Sequence, residues 1–325
     1  MKLYADDIDI TAIAGGVAWQ NTLAELATTL NFEVGKVNAR HTKIYLPREG
    51  SIVRLVTDRG ATFAEEILRG IILTVDDGSA VSNKYVAVDF GFYLNKNAET
   101  YQFTDVPANQ AIKQICGDFG IPVDSLCDLP LTFSKIHLDK SAAEVIWDIL
   151  QQTTDASGYA YNFDVTPRGL RVYRLGDLVA NPNFKLSENT KSYNSVDLRG
   201  AVSHSVSIEN MKNSVKIVSG DEKGFTHLTT ERNEGLISKY GLLQTVEKID
   251  EKNLGNADNI AKQKLAELSQ KEETFSFEII EAPDSYTRAG YELEVDGVKY
   301  IIEGSAHSII NSVHRVKLDL RRVKA

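Results

Sequence analysis

The chain has few of the residues on which redox chemistry and cysteine-based metal binding depend. Its 325 residues include two cysteines, Cys116 and Cys127, and no CxxC pair. This excludes a zinc cluster built on cysteine and a CxxC redox site. Cys116 lies at helical spacing from Ile112, Ile115 and Phe119, so we interpret it as a buried free thiol. The low cysteine content favours a protein made in a reducing cytoplasm.

Long apolar runs and an excess of positive charge are also lacking. No run reaches the roughly 18 apolar residues of a membrane span, so none is expected. Asp6, Asp7 and Asp9 interrupt the region where a secretory signal would have its apolar core, so no export signal is expected. The formal net charge is −9, which argues against specific nucleic-acid binding.

Recognisable catalytic and cofactor motifs are missing as well. The sequence has no GxSxG, HExxH, GxGxxG or P-loop pattern. Glu65 and Glu66 are adjacent, so on a strand their side chains would point to opposite faces, which does not suit paired-carboxylate catalysis. We therefore predict that the chain is not an enzyme and has no cofactor and no catalytic, cofactor-binding or metal-binding residues.

Alternating apolar residues predict a mainly β domain over residues 1–95. The segments 51–56 and 66–75 are predicted strands, and the alternation in "YVAVDFGFYL" predicts one long strand over 85–94. In that strand Val86, Val88, Phe90, Phe92 and Leu94 would share a face. The segment 22–34 predicts a helical turn that leads into a strand.

Residues 96–182 change in pattern and predict a small α+β domain. Helical spacing between Pro107 and Gly120 predicts one helix. Ser141 and Glu144 have the spacing of a capping box, which predicts the start of a second helix. The turn residues "TPRG" at 166–169 predict a hairpin between two strands.

Residues 183–325 predict a second mainly β domain with one helix. A polar stretch over 176–195 is interpreted as a linker. Strands are predicted at 203–208, 213–218, 273–280, 291–295 and 298–303, and a helix at 256–270. Asp296 and Gly297 between two alternating strands predict a tight hairpin.

Two histidines near the end of the chain, His307 and His314, are considered as metal ligands, but the sequence offers little support for that role. His314 shares the parity of Val316, Leu318 and Leu320, so it is predicted at the end of an apolar strand face. His307 is expected in the connection before that strand. The pair lacks i, i+2 spacing and a third ligand nearby in sequence, so we interpret both as structural bystanders.

The two β-rich ends of the chain resemble each other. Each has a glycine, a strand, a turn, a second strand that closes on a glycine, and further strands. The leading glycines are Gly50 and Gly290, and the closing glycines are Gly70 and Gly304. Because β-meanders look alike, this pattern leaves open whether the likeness is a true duplication.

Several segments, in order along nearly the whole chain, resemble the baseplate hub proteins of contractile phage tails and phage-like particles. These hubs are of the XkdQ/YqbQ type, distantly related to late-control protein D. The segments are "YVAVDFGFYLNKNAETYQF", "PANQAIKQICGDFGIPVDSL", "DKSAAEVIWDIL", "GYAYNFDV", "IENMKNSVKIV", "NADNIAKQKLAEL" and "YIIEGSAHSI…HRVKLDL".

The resemblance implies two tail-tube-like β-barrel domains around the α+β domain. It also implies a homotrimer in which six similar barrels join the hexameric tail tube to the trimeric spike. The implied partners are the tail tube protein, the spike protein and other baseplate proteins, in a virion tail assembled in a bacterium. The acidic charge would let DNA pass through the lumen without sticking.

Alternative functions stay open at this point. One is a tail-associated cell-wall hydrolase, and another is a carbohydrate-binding module that would need an exposed aromatic patch. The candidate aromatics Tyr159, Tyr161, Phe163 and Tyr173 lie in predicted strands and are interpreted as core. The sequence also does not separate a phage from a bacteriocin-like particle or another contractile injection system.

Overall fold

The computed structural model describes residues 1–36, 45–59, 63–79, 81–180, 203–221, 224–249, 251–281, 287–295, 297–311 and 313–323. It divides into two compact units, residues 1–203 with 276–325, and residues 204–275. The division into domains 1–95, 96–182 and 183–325 stays a prediction. Most of the predicted linker, from 181 to 195, and Asp296 of the predicted hairpin lie outside the described residues.

The larger unit is built around one long β-sheet. Its amino-terminal strands are β1 (Lys2–Ala5), β2 (Ile8–Asp9), β3 (Ala14–Thr22), β4 (Thr29–Gly35), β5 (Ile52–Arg59), β6 (Phe63–Asp76) and β7 (Ser82–Asp89). Its carboxyl-terminal strands are β17 (Glu272–Ile280), which begins in the smaller unit, β18 (Glu292–Val295), β19 (Val298–Ile310) and β20 (Val313–Arg322). Strand signals therefore predicted both ends of the chain as β-rich.

Within the larger unit, the strands of this sheet follow the order β17-β20-β19-β3-β4-β7-β6-β5-β1-β2, and β18 also pairs with β19. All pairings with a described register are antiparallel. Phe32 on β4 lies directly opposite Tyr85 on β7, and their rings stack at 4.8 Å between centroids. Such cross-strand aromatic pairs fix the register of neighbouring strands.

Between β7 and the linker lies the predicted α+β region. Its elements are α1 (Gly91–Lys96), β8 (Ala98–Pro107), α2 (Ala108–Asp118), β9 (Val123–Leu126), β10 (Thr132–Ser141), α3 (Ala142–Ser157), β11 (Tyr161–Thr166) and β12 (Gly169–Arg174). The capping box is confirmed, because Ser141 Oγ accepts from Glu144 N while Glu144 Oε2 accepts from Ser141 N. Helices α2 and α3 bury their apolar faces in one core with β8, β10, β11 and β12.

The smaller unit contains a three-stranded sheet and helices. Its elements are β13 (Ser203–Ser207), β14 (Ser214–Asp221), β15 (Gly224–Arg232), α4 (Glu234–Tyr240), β16 (Gln244–Lys248), a 3-10 helix (Glu251–Asn256) and α5 (Ala257–Leu268). Helix α5 packs Ala257 and Ala261 on Val215 and Ile217 of β14. The helix at 256–270 was predicted, whereas β15, α4 and β16 were not.

Two local predictions are wrong. The long strand over 85–94 ends at Asp89, and α1 begins two residues later. Asp89 ends the strand because one carboxylate oxygen accepts from Gly91 N at 2.9 Å and the other from Thr28 N at 2.8 Å. The helical turn predicted within 22–34 is a bent connection over 23–28, although the strand that follows it is confirmed as β4.

Candidate functional site

The amino-terminal meander β5–β6–β7 has a distinctive hydrogen-bond pattern at its start. Gly50 N donates to Ile72 O at 2.9 Å, and Ile72 N donates to Ser51 O at 3.0 Å. Gly50 has φ of 85°, a left-handed conformation that favours glycine. The register between β6 and β7 then shifts between Ile72 and Thr74, which marks a β-bulge.

The carboxyl-terminal meander β18–β19–β20 repeats this pattern. Gly290 N donates to Ile302 O at 2.8 Å, and Ile302 N donates to Tyr291 O at 2.9 Å. Gly290 has φ of 89°. The register between β19 and β20 shifts between Ile302 and Gly304, the same distance after the isoleucine as in the first meander.

The structural likeness corrects the alignment of the two ends. The leading glycines are equivalent, as the sequence pattern indicated. The closing glycines Gly70 and Gly304 are not, because the shared hydrogen bonds place Gly70 level with Tyr300 and Gly304 level with Thr74. Gly70 instead marks a close approach, since a Cβ there would lie 2.0 Å from the carbonyl oxygen of Val88.

The second meander joins the amino-terminal sheet along a seam between β3 and β19. The paired residues across this seam are Thr22–Gly304, Asn21–Ser305, Gln20–Ala306, Trp19–His307 and Ala18–Ser308. His307 therefore lies inside a strand, and its expected position in a connection is wrong. The strand continues through His307 because β19 is paired with β20 on one side and β3 on the other.

Beside the seam, His307 and His314 come together with Glu281, a residue that the sequence reasoning missed. His307 Nδ1 lies 3.0 Å from His314 Nε2 and 3.1 Å from Glu281 Oε2. His314 Nε2 lies 3.4 Å from the same carboxylate oxygen. The Trp19 ring stacks on His307 with 4.6 Å between centroids. Two imidazoles and a carboxylate form a donor set that could hold a metal ion.

Further hydrogen bonds hold this cluster in place. His307 Nε2 lies 3.0 Å from Ser305 Oγ, which donates to Asn21 Oδ1 at 3.2 Å. Asn21 Oδ1 also accepts from Ala289 N at 2.7 Å. The cluster is thus tied to β3 and to the segment before β18. His307 and His314 lie on the neighbouring strands β19 and β20, whereas Glu281 joins them only because β17 lies beside β20, so no local spacing in the sequence could reveal this third residue.

The electrostatics of the cluster favour an anionic carboxylate beside a neutral imidazole. Burial raises the pKa of Glu281, but the hydrogen bond and charge of His307 outweigh it, and the net direction is downward. Burial lowers the pKa of His314 to about 4. At neutral pH the Glu281 carboxylate is ionised and His314 is uncharged.

A second buried polar network connects the hairpin β11–β12 to the segment before β18. Asp164 pairs with Arg171 at 2.6 Å and with Arg288 at 3.1 Å. Arg288 Nη2 also donates to the carbonyl oxygen of Val165 at 3.1 Å, and Arg171 Nη1 donates to Tyr291 Oη at 3.1 Å. Asp164 is shared by two guanidinium groups, so charged hydrogen bonds join the hairpin to this segment.

Other candidate residues have structural positions. The Cys116 side chain is buried, as predicted, and burial raises its pKa to about 12, so it is not a thiolate at neutral pH. Tyr161, Phe163 and Tyr173 are buried, whereas Tyr159 is exposed and lies under Arg174. Within the described part of the chain, no helix is long and apolar enough to cross a membrane.

Comparison with known proteins places these features in a family. A family model described as YqbQ-like matches residues 17–321. The protein YqbQ of Bacillus subtilis (strain 168) is 29% identical over 264 residues, covering 79% of this chain and 78% of that protein. The phage-like element PBSX protein XkdQ of the same organism is 24% identical over 268 residues, with the same coverage of both chains.

Two solved structures have a similar fold. The 43 kDa tail protein of prophage MuSo2 from Shewanella oneidensis has a TM-score of 0.69 and 12% identity, covering 98% of this chain and 97% of that one. The E. coli c3393 protein, a type VI secretion component described as similar to T4 tail proteins gp27 and gp5, has a TM-score of 0.57 and 8% identity. That likeness covers 100% of this chain and 77% of the other.

Proposed function

Because the chain belongs to the YqbQ-like family, we propose that it is a structural protein of a phage tail or phage-tail-like particle, and specifically the baseplate hub. The relative XkdQ belongs to a phage-like element, and the similar Shewanella structure is a tail protein. The likeness of c3393 to gp27 and gp5 supports a position between tube and spike. Together these relatives support a place in the tail baseplate.

The repeated meander is the observation that carries the hub proposal. One chain contains two meanders with the same glycine conformation, the same hydrogen bonds and the same bulge, joined within one sheet. Three such chains around a threefold axis present six similar meanders. A homotrimer of this kind matches a hexameric tube on one side and a trimeric spike on the other.

Ring closure requires each chain to extend its sheet into the next one. The larger unit ends its sheet at β2, a strand of two residues with Ile8 exposed. An exposed strand edge can pair with a neighbouring chain, and ring-forming proteins use edges in this way. We assign this edge to the contact between protomers. The net charge of −9 supports a lumen through which DNA passes without binding.

Electron microscopy of the full chain mixed with its tail tube protein tests the hub proposal. The expected result is a cap at one end of each tube, formed by three copies of the chain as counted by native mass spectrometry. Tubes without caps, together with a chain that remains monomeric beside them, would refute the hub.

An edge variant locates the contact between protomers. Ile8→Lys places a charge on the edge and should reduce capping, because edge lysines oppose strand pairing. Ile136→Lys on β10 is the matched control, since Ile136 is also an exposed strand isoleucine. Equal capping by both variants would show that the contact between protomers does not involve β2. The hub proposal itself would still be tested by capping with the unaltered chain.

The chain's role in this proposal is assembly and not catalysis. The family and the similar tail structures support this. Incubation of the purified chain with cell-wall sacculi should release no soluble fragments, and enzymatic turnover would favour a tail-associated hydrolase instead. Binding to sacculi without turnover would favour the carbohydrate-binding alternative.

A further inference from the structure

Three ligand-type atoms converge where β17 ends and β19 lies beside β20. His307 Nδ1, His314 Nε2 and Glu281 Oε2 form a triangle with sides of 3.0, 3.1 and 3.4 Å. With metal–ligand bonds of about 2.0–2.1 Å, neighbouring ligand atoms are about 2.9 Å apart in an octahedral site and about 3.4 Å in a tetrahedral one. The triangle has the dimensions of three ligands around one transition metal ion.

The hydrogen bonds around Ser305 indicate that His307 Nε2 carries a hydrogen. Asn21 Oδ1 must accept from the backbone N–H of Ala289, which identifies that atom as the oxygen. It also accepts the hydroxyl hydrogen of Ser305. Ser305 Oγ has then used its one hydrogen, so it accepts from His307 Nε2–H at 3.0 Å. With Nε2–H directed at Ser305, His307 Nδ1 faces the cluster, where it can either carry a proton donated to Glu281 or present a lone pair to a metal ion.

The Nδ1 lone pair of an unprotonated His307 would face another acceptor. Glu281 Oε2 lies 3.1 Å from His307 Nδ1, and an ionised carboxylate can only accept. Glu281 cannot turn away, because its other oxygen accepts from the N–H and the hydroxyl of Thr287 at 2.8 and 2.9 Å. The single hydrogen on His314 Nε2 cannot lie in all three gaps. A positive charge between the three atoms, either a proton on His307 Nδ1 or a metal ion, satisfies the carboxylate, and the dimensions of the triangle match a metal ion.

We propose that Glu281, His307 and His314 bind a divalent first-row transition metal ion, with zinc as the best match. Two imidazoles and one carboxylate are a known zinc donor set, whereas calcium and magnesium prefer sites made of oxygen ligands. Ser305 and Thr287 orient the ligands as supporting partners do in metal sites. Side-chain exposure is 21% at His314 and only 3% at Glu281, so the ion and a water ligand reach the site from the His314 side.

The metal would have a structural role. Its three ligands come from the end of β17 and from β19 and β20, and the Trp19 ring from β3 covers His307. The ion would therefore hold three strands together next to the seam between β3 and β19. This role does not depend on the hub proposal, because it concerns one chain alone.

Metal content of the full chain tests the proposal. The chain is produced without a polyhistidine tag, stripped with EDTA, dialysed against Zn²⁺ and measured by inductively coupled plasma mass spectrometry. We expect one zinc per chain and a higher thermal midpoint with Zn²⁺ than with EDTA or Mg²⁺, because a ligand that binds the folded state stabilises it. If the chain binds no zinc and its thermal midpoint is unchanged, the proposal is wrong, and a proton shared by the two histidines and Glu281 accounts for their close contacts.

Variants assign the zinc to these residues. His314→Gln and Glu281→Gln should abolish zinc uptake, and Ser305→Ala should weaken the affinity by roughly 10- to 100-fold. His137→Gln is the matched control, because His137 is also buried beside a carboxylate, 3.5 Å from Asp148. Zinc retained by the ligand variants, or lost equally by His137→Gln, would overturn the assignment. If a ligand variant fails to fold, the zinc affinity of Ser305→Ala and the zinc content of the unaltered chain still test the proposal.

Discussion

The equivalent glycines of the two meanders offer a test that separates backbone strain from packing. Gly50 and Gly290 have φ of 85° and 89° and donate equivalent hydrogen bonds. A Cβ on Gly50 would meet nothing within 4 Å. A Cβ on Gly290 would lie 2.0 Å from Tyr173 Oη and 2.8 Å from its Cζ. Alanine at each position therefore introduces the same backbone strain and very different contacts.

The expected magnitudes follow from these two contributions. A left-handed alanine costs about 1–2 kcal/mol, and the reduced entropy of the unfolded chain returns about 0.4–1 kcal/mol. Gly50→Ala should thus lower the free energy of unfolding by about 1 kcal/mol. Overpacking against Tyr173, which is buried, adds about 1–3 kcal/mol, so Gly290→Ala should lower it by about 2–4 kcal/mol.

Urea unfolding followed by tryptophan fluorescence measures both effects. The two tryptophans, Trp19 and Trp147, lie in the same unit as both glycines, so the signal reports that unit. In a Tyr173→Phe background the clashing hydroxyl is gone, and Gly290→Ala should cost about 1 kcal/mol less than in the unaltered chain. Gly50→Ala should cost the same in both backgrounds. Equal costs for the two glycines, or no coupling between Gly290 and Tyr173, would refute the reasoning.

Three further outcomes follow from individual side chains. Ser141→Ala removes the cap that Glu144 completes and should destabilise the chain by about 1 kcal/mol; an unchanged urea midpoint would contradict this. A thiol reagent should label Cys127 in the folded chain and Cys116 only on unfolding, so equal rates would contradict the burial. Burial raises the pKa of Asp89 from 3.8 to about 6, so the folded chain binds a proton at Asp89 more tightly than the unfolded chain does. This proton binding stabilises the folded state fully below pH 3.8, and the stabilisation is lost as the pH rises through 6. Relative to Asp89→Asn, the unaltered chain should therefore gain about 2 kcal/mol of unfolding free energy between pH 7 and pH 4.5, and a constant difference would contradict the shift.

The sequence was informative where structure depends on neighbours in the chain. The cap at Ser141, helix α2 and hairpin β11–β12 have local signals, and all three are confirmed. Strand signals likewise predicted β5 and β6, although the nearly continuous apolar run of 66–75 suggested burial on both faces and Leu73 is exposed. The alternation in "YVAVDFGFYL" was misleading beyond Asp89, because a hydrogen bond to Thr28, 61 residues earlier, ends the strand.

The candidate metal site could not be predicted in the same way. Its ligands are separated by 26 and 7 residues, and neither spacing is typical of a metal motif on one element. Glu281 reaches His307 only because β17 and β19 lie on either side of β20. The parity of His314 correctly predicted the apolar face of β20, where Val316, Leu318 and Leu320 are buried. The approach of a third ligand depends on the pairing of distant strands.

The polar groups beside the seam determine how the second meander is joined to β3. A slip of one residue between β3 and β19 would turn every side chain to the opposite face. Apolar residues specify this register weakly on β3, which contains Ala14, Gly15, Gly16 and Ala18. Asn21 specifies it strongly, because its one oxygen accepts from both Ala289 and Ser305, and a slip would leave these buried groups unpaired. The proposed hub requires a single fixed register, because each chain has to present its two meanders in one arrangement. The buried polar contacts, with or without a metal ion, provide that constraint.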